Sequence, residues 1–157
     1  DLEVERTFLS PGGDLPSAGN CLGRMELFEM AQVARIRVEN IGFDFVQFIA
    51  DLESEACEKG IVILQIWLPL ASPFIAAATD ILRENGYFLG GMLPCFGNGD
   101  GLLMQKLKQK PDWQAINLLS ERAKKIGEII KDDWQRVTAT GDNPPSSRPN
   151  KRGKTHL

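Results

Sequence analysis

Histidine is almost missing from this chain: the 157 residues hold one, His156, beside the C-terminus. A Ser-His-Asp or Cys-His relay inside a folded body cannot be built from it, which excludes the triad hydrolases. Cysteine is scarce as well. Cys21, Cys57 and Cys95 lie far apart, with no C-x-x-C pair and no histidine to complete a tetrahedral set, so no metal site is expected. An odd number of thiols without a secretory signal fits free, mostly buried cysteines in a reducing compartment, and a cytoplasmic location is expected. Long apolar runs are lacking too. The longest, Gly60 to Ala71, is broken by Gln65 and Pro69 and falls short of the roughly 18 residues that a membrane-spanning helix needs, so no membrane partner is expected. There is no surplus of positive charge, with 18 basic against 21 acidic side chains and a net charge of -3. Four of those basic residues fall in the last 17; the rest of the chain sets 14 basic against 20 acidic, so no nucleic-acid partner is expected. The first residue is Asp1, and the chain reads as the C-terminal portion of a longer protein, with another domain of that protein as a partner.

What is present has the patterning of an α/β domain. Leu2 to Ser10 alternate loosely before the turn signal Pro11-Gly12-Gly13-Asp14, which predicts a short strand and a loop. Met25 to Phe28 and then Gln32 to Glu39, with Arg35 and Arg37 between Val33, Ile36 and Val38, predict strand with one wet face. From Phe43 to Lys59 the apolar residues recur at three and four, a helix with Asp44 as N-cap and Gly60 at its end. Ile61 to Leu68 is continuous and β-branched, a strand buried on both faces. Ser72-Pro73 opens a second helix as N-cap and N1, and Asn85-Gly86 closes it. Strands follow over Tyr87 to Leu93 and Leu102 to Leu107, joined by the turn-rich stretch from Pro94 to Gly101. Ile116, Leu119, Ala123, Ile126, Ile130 and Val137 predict one amphipathic helix from Trp113 to Arg136, interrupted at Asp133. It packs on the domain or on a partner, a second copy of the chain included. The reading is thus a domain over 1–110, a C-terminal helix in 111–140 and a basic, flexible tail over 141–157.

The stretch from Ala34 to Leu107, and most specifically Ala78-Thr79-Asp80-Ile81-Leu82-Arg83-Glu84-Asn85-Gly86-Tyr87-Phe88 with the closing Leu102-Leu103-Met104-Gln105-Lys106-Leu107, resembles the C-terminal two-thirds of the GNAT acyltransferase fold. The resemblance implies a mixed, mostly antiparallel central sheet flanked by helices, whose two central strands splay to admit a pantetheine arm. It implies acetyl-CoA or another acyl-CoA as cofactor if the chain is active. It also implies that backbone amides in a loop patterned R or Q, x, x, G, x, G or A hold the pyrophosphate at a helix N-terminus. That loop corresponds here to Glu39-Asn40-Ile41-Gly42-Phe43-Asp44, which keeps the middle glycine but sets a carboxylate at each end, an arrangement that opposes an anion. The position of the family's general-acid tyrosine holds Leu82, and that of its helix-start asparagine holds Ile75.

The candidate cofactor-binding residues are therefore Val38, Asn40, Ile41, Gly42, Phe43 and Trp67. For chemistry, Glu39 is the candidate base acting through water on an amine, Ser72 a proton donor near a thiolate leaving group, and Cys95 a loop thiol. Each has a plainer role: a solvated carboxylate, a helix cap and an inert thiol. Three functions are consistent with these residues. The first is a regulatory or ligand-sensing module without standard acetyl-CoA chemistry. The second is an active N-acyltransferase acting on an amine, and the third a dimerising interaction domain.

Overall fold

A computed structural model describes residues 13–94 and 99–141. The strand expected over Leu2 to Ser10, Cys95 and the basic tail beyond Gly141 lie outside the described residues. The chain runs β1 (Leu22–Phe28), a single 3-10 turn, β2 (Val33–Asn40), α1 (Phe45–Glu58), β3 (Ile63–Pro69), α2 (Ile75–Glu84), β4 (Phe88–Leu93), β5 (Gly101–Leu107) and α3 (Glu121–Gly141). The sheet order is β1-β2-β3-β5-β4. Only β2 and β3 are parallel, because α1 carries the chain back across the sheet between them; every other pair is antiparallel. This is the mixed, mostly antiparallel sheet that the resemblance implies, with the added C-terminal helix that the apolar spacing predicts.

Alternation along the strands sorts the side chains onto two faces. On the inner face Ala34, Ile36 and Val38 of β2, Leu64, Ile66 and Leu68 of β3 and Met104 of β5 form one core with Phe45, Ile49 and Ala56 of α1 and Ala78 and Leu82 of α2. Burying each large side chain of this set is worth about 1.5–3 kcal/mol. The outer face of β2 carries Arg35, Arg37 and Glu39. Strand β3 is not buried on both faces, as its apolar run suggests; it alternates buried and half-buried residues, because Gln65 and Trp67 lie on the face that α1 and α2 leave uncovered.

Helix starts differ from the sequence reading, and local hydrogen bonds give the reasons. Asp44 caps nothing through its side chain, since its carboxylate instead accepts the Cys21 N–H at 2.7 Å. Ser72 is not the N-cap of α2: its Oγ accepts the Phe74 N–H at 3.3 Å in a turn that delays the helix to Ile75. Gly86, with φ +85, ends α2 in a left-handed conformation open to glycine at no steric cost. The largest difference is the final helix, which begins at Glu121 instead of Trp113. The Asp112 carboxylate captures the N–H groups of Gln114 and Ala115 at 3.0 and 3.3 Å, holding that segment in a turn, and Ser120 Oγ then accepts the Ala123 N–H at 3.1 Å as the true cap. Ile116 and Leu119, assigned to the helical stripe by spacing, are exposed in the preceding segment.

Asp133, which interrupts that stripe, is what ties α3 down. Its side chain is 6% exposed. One oxygen accepts Arg83 Nε of α2 at 3.2 Å and the other the Leu89 N–H of β4 at 2.7 Å, while Arg136 also reaches the carboxylate. Trp113 adds an edge contact with Trp134, ring centroids 5.7 Å apart. No helix among the described residues is long and apolar enough to cross a membrane.

Candidate functional site

Strands β2 and β3 run side by side only from Val33–Ile63 to the rung Arg37–Trp67. Beyond that rung β2 continues to Asn40 and β3 to Pro69 without pairing, so the sheet forks between its two central strands. A cleft of about 600 Å³ fills the fork, lined by Arg37 to Ile41 on one side, Pro69 and Ala71 to Phe74 on the other, and Gly99 and Asp100 at the end. The β3 side is fixed by the antiparallel pairing of Pro69 with Gly101 and by the Leu70 N–H donating to Asp100 O at 2.9 Å. On the other side β1 pairs with β2 through Gly23–Val38 and Leu22–Asn40, so both walls are held from behind.

The structure brings Val38, Glu39, Asn40, Ile41 and Ser72 of the sequence candidates together around this cleft. Glu39 is exposed on the β2 wall, and Ser72 stands on the opposite wall, already engaged with the Phe74 amide. Trp67 sits at the last rung and does not line the cleft, although Pro69 of the same stretch does. The sequence reading missed Arg37, Pro73, Phe74 and Asp100 as cleft residues. Arg37 was visible in the wet-face alternation of β2, whereas Asp100 looked like one more turn residue.

Gly42 and Phe43 belong to a different environment. The segment Gly19 to Cys21 crosses directly over the start of α1 and consumes its amides. Gly42 N–H donates to Cys21 Sγ at 3.1 Å, Phe43 N–H to Gly19 O at 3.0 Å, and Asn40 Nδ2 to Asn20 O at 3.0 Å. A Cβ at Gly42 would lie 2.3 Å from Asn20 C and from Cys21 N, so the two segments touch through the bare glycine backbone. Burial pushes the Cys21 thiol up to about 11 against the lowering effect of the Gly42 N–H, and the Asp44 carboxylate adds to the rise. Cys21 is thus a neutral acceptor at physiological pH, and the expectation of buried thiols holds for it while Cys57 is exposed.

Neither Leu82 nor Tyr87 stands at the cleft as the tyrosine that the resemblance implies would. Leu82 is fully buried in the core. Tyr87, the chain's one tyrosine, is also fully buried, beneath Lys106, whose ammonium pairs with Glu53 at 3.1 Å. Burial, reinforced by the Glu53 carboxylate, pushes its phenol well above the usual tyrosine range. It does not line the cleft.

No family model and no curated protein sequence matches the chain. Among solved structures it is similar to a ribosomal-protein-alanine N-acetyltransferase from Brucella melitensis, with a TM-score of 0.39 and 21% identity over 55% of this chain and 58% of that one. It is also similar to a second ribosomal-protein-alanine N-acetyltransferase, from Escherichia coli, with a TM-score of 0.39 and 12% identity over 62% of this chain and 66% of that one. The chain thus spans less than two thirds of either length. The mixed sheet forks at its central parallel pair, the splay that the resemblance implies.

Proposed function

We propose that the fork is a ligand site for an elongated, amide-bearing small molecule of the acyl-pantetheine type, and that the domain serves as a ligand-sensing or regulatory module. Diverging strand ends suit such a ligand, because an extended amide chain can hydrogen-bond along backbone that no longer has a neighbouring strand. One observation carries the reading away from standard acyl-CoA chemistry: the Gly42 and Phe43 amides, which would hold a pyrophosphate, already donate to Cys21 and Gly19. Freeing them requires breaking two hydrogen bonds, each worth about 1 kcal/mol net, and leaving a buried acceptor unpaired. Asp44 beside them and Glu39 across the loop add repulsion to any incoming anion.

A second reading, an active N-acyltransferase, is favoured by the position of Glu39. An exposed carboxylate on the cleft wall is placed to take a proton through water from an amine that meets a thioester in the fork.

Isothermal titration with S-acetylpantetheine and with acetyl-CoA tests the first reading. Binding of the phosphate-free compound, with acetyl-CoA no more than about tenfold tighter, is the expected result; tenfold corresponds to about 1.4 kcal/mol. Failure of S-acetylpantetheine to bind at millimolar concentration overturns it. The second reading predicts release of free thiol from acetyl-CoA on addition of an amine, lost in Glu39→Gln.

A further inference from the structure

We infer that α3 and the segment before it form a self-association surface, on which a second copy of this chain packs antiparallel, with Ile126 of one copy against Ile129 of the other. The observations lie away from the cleft, and the inference stands or falls apart from it.

A helix that docks on its own domain needs one apolar stripe. α3 carries two. The first, with Ala123, Ile130 and Val137, faces the body, where the Asp133 carboxylate ties the helix to α2 and β4. The second, Ile126 and Ile129, is about half exposed, and Ile116 and Leu119 of segment 113–120 extend it, Leu119 at 91% exposure. That segment is held firmly against the helix. Leu118 seats on Gly127, where a Cβ would lie 2.7 Å from Leu118 Cδ1, and Trp113 meets Trp134 edge-on. An open groove of about 720 Å³ runs along the join, lined by Trp113, Ile116, Leu118 and Ile126 among others. Apolar ridge and apolar groove therefore lie side by side on one surface, the self-complementary layout that a two-fold pair of identical chains can close.

Charge selects the occupant and its direction. Arg122, Lys125 and Asp132 flank the exposed stripe, and none of the three has an ion-pair partner among the described residues. Lys124, on the groove side, is by contrast paired with Glu121 at 2.7 Å. A parallel pair would set Lys125 against Lys125 and Arg122 against Arg122, like against like. In an antiparallel pair centred between Ile126 and Ile129, Asp132 of the second copy instead falls axially between Arg122 and Lys125, about 3 Å along the helix from Lys125. Four large apolar side chains on a helix of 21 residues and its lead-in make a contact at the low end of specific interfaces, roughly 1,200 Å² in total, so a dissociation constant in the micromolar range is expected.

Sedimentation equilibrium of the 157-residue chain from micromolar to millimolar concentration tests the inference. The expected result is a reversible doubling of mass across that range. Ile129→Glu, on an exposed position, is expected to leave a monomer with the circular dichroism of the dilute parent. Lys125→Glu is expected to weaken the dimer at least fivefold, and adding Asp132→Lys to the same chain to restore it to within about twofold of the parent, a recovery that loss of helix stability would not produce. A chain that stays monomeric at millimolar concentration would overturn the inference and leave the face to another segment or domain. So would a dimer that persists in Ile129→Glu, or a charge swap that brings no recovery. Failure of S-acetylpantetheine to bind would bear on the cleft alone.

Discussion

The two sides of the sheet's forked end handle their polar backbone in opposite ways. At the start of α1 the amides of Gly42 and Phe43 are answered from within by Cys21 and Gly19, and a bare glycine lets the segments close with no gap. A few residues upstream, from Val38 to Ile41, the chain borders open space, with β3 diverging away. The difference teaches where a ligand can bind: closing the first region removes the grip on a phosphate, whereas the second region keeps an extended wall. The β4 edge repeats the closed solution by other means, because the Asp133 carboxylate answers the Leu89 N–H that the edge would otherwise expose.

Breaking the closed regions is expected to have the largest effects. Asp133→Ala should cost about 3 kcal/mol in urea unfolding, because it strands the Leu89 amide and removes the carboxylate that Arg83 and Arg136 share, while leaving S-acetylpantetheine binding intact. Gly42→Ala should cost about 2 kcal/mol, since the added carbon meets backbone that cannot rotate away. Its second readout is faster hydrogen exchange at Gly42 and Phe43. Filling the open region is expected to act on binding alone: Ala71→Trp, on an exposed wall position, should weaken S-acetylpantetheine by tenfold or more with unfolding free energy within about 1 kcal/mol of the parent.

The smallest effect concerns Cys21. Its folded pKa of about 11 exceeds the ordinary 9.0, so the folded state favours the protonated thiol. That contribution is complete below about pH 9 and is lost as the pH rises towards 11. Unfolding free energy should therefore fall across that window, and less so in Cys21→Ala. At pH 8, peptide mapping after iodoacetamide treatment should show Cys57 modified well before Cys21.

Much of the fold was legible because its signals are local. The β-branched run in β3, the three-and-four spacing of α1 and the Asn85-Gly86 stop each reflect backbone preference or periodicity within one element, and the order of elements constrained the sheet. The decisive parts of the site were not legible, because they join residues distant in sequence. Cys21 reaches Gly42 across 21 positions, and Asp133 reaches Leu89 across 44. Periodicity treats every polar residue in an apolar stripe as an interruption, so the residue that anchors α3 read as a flaw in it. Asp44 and Ser72 were assigned as caps from residue type alone, which records what a side chain can accept and not which amide reaches it first. Arg37 shows the intermediate case. Alternation placed it on the wet face, but only the strand register set it opposite Arg24 and at the mouth of the fork.

The most direct test of the closed-loop account is amide hydrogen exchange at Gly42 and Phe43, measured with and without saturating acetyl-CoA. The account predicts that both amides exchange slowly in the free chain and at the same rate when the compound is present, because they remain bonded to Cys21 and Gly19. A large change confined to these two amides on adding acetyl-CoA, absent with S-acetylpantetheine, would contradict it and show that the loop opens to grip the pyrophosphate.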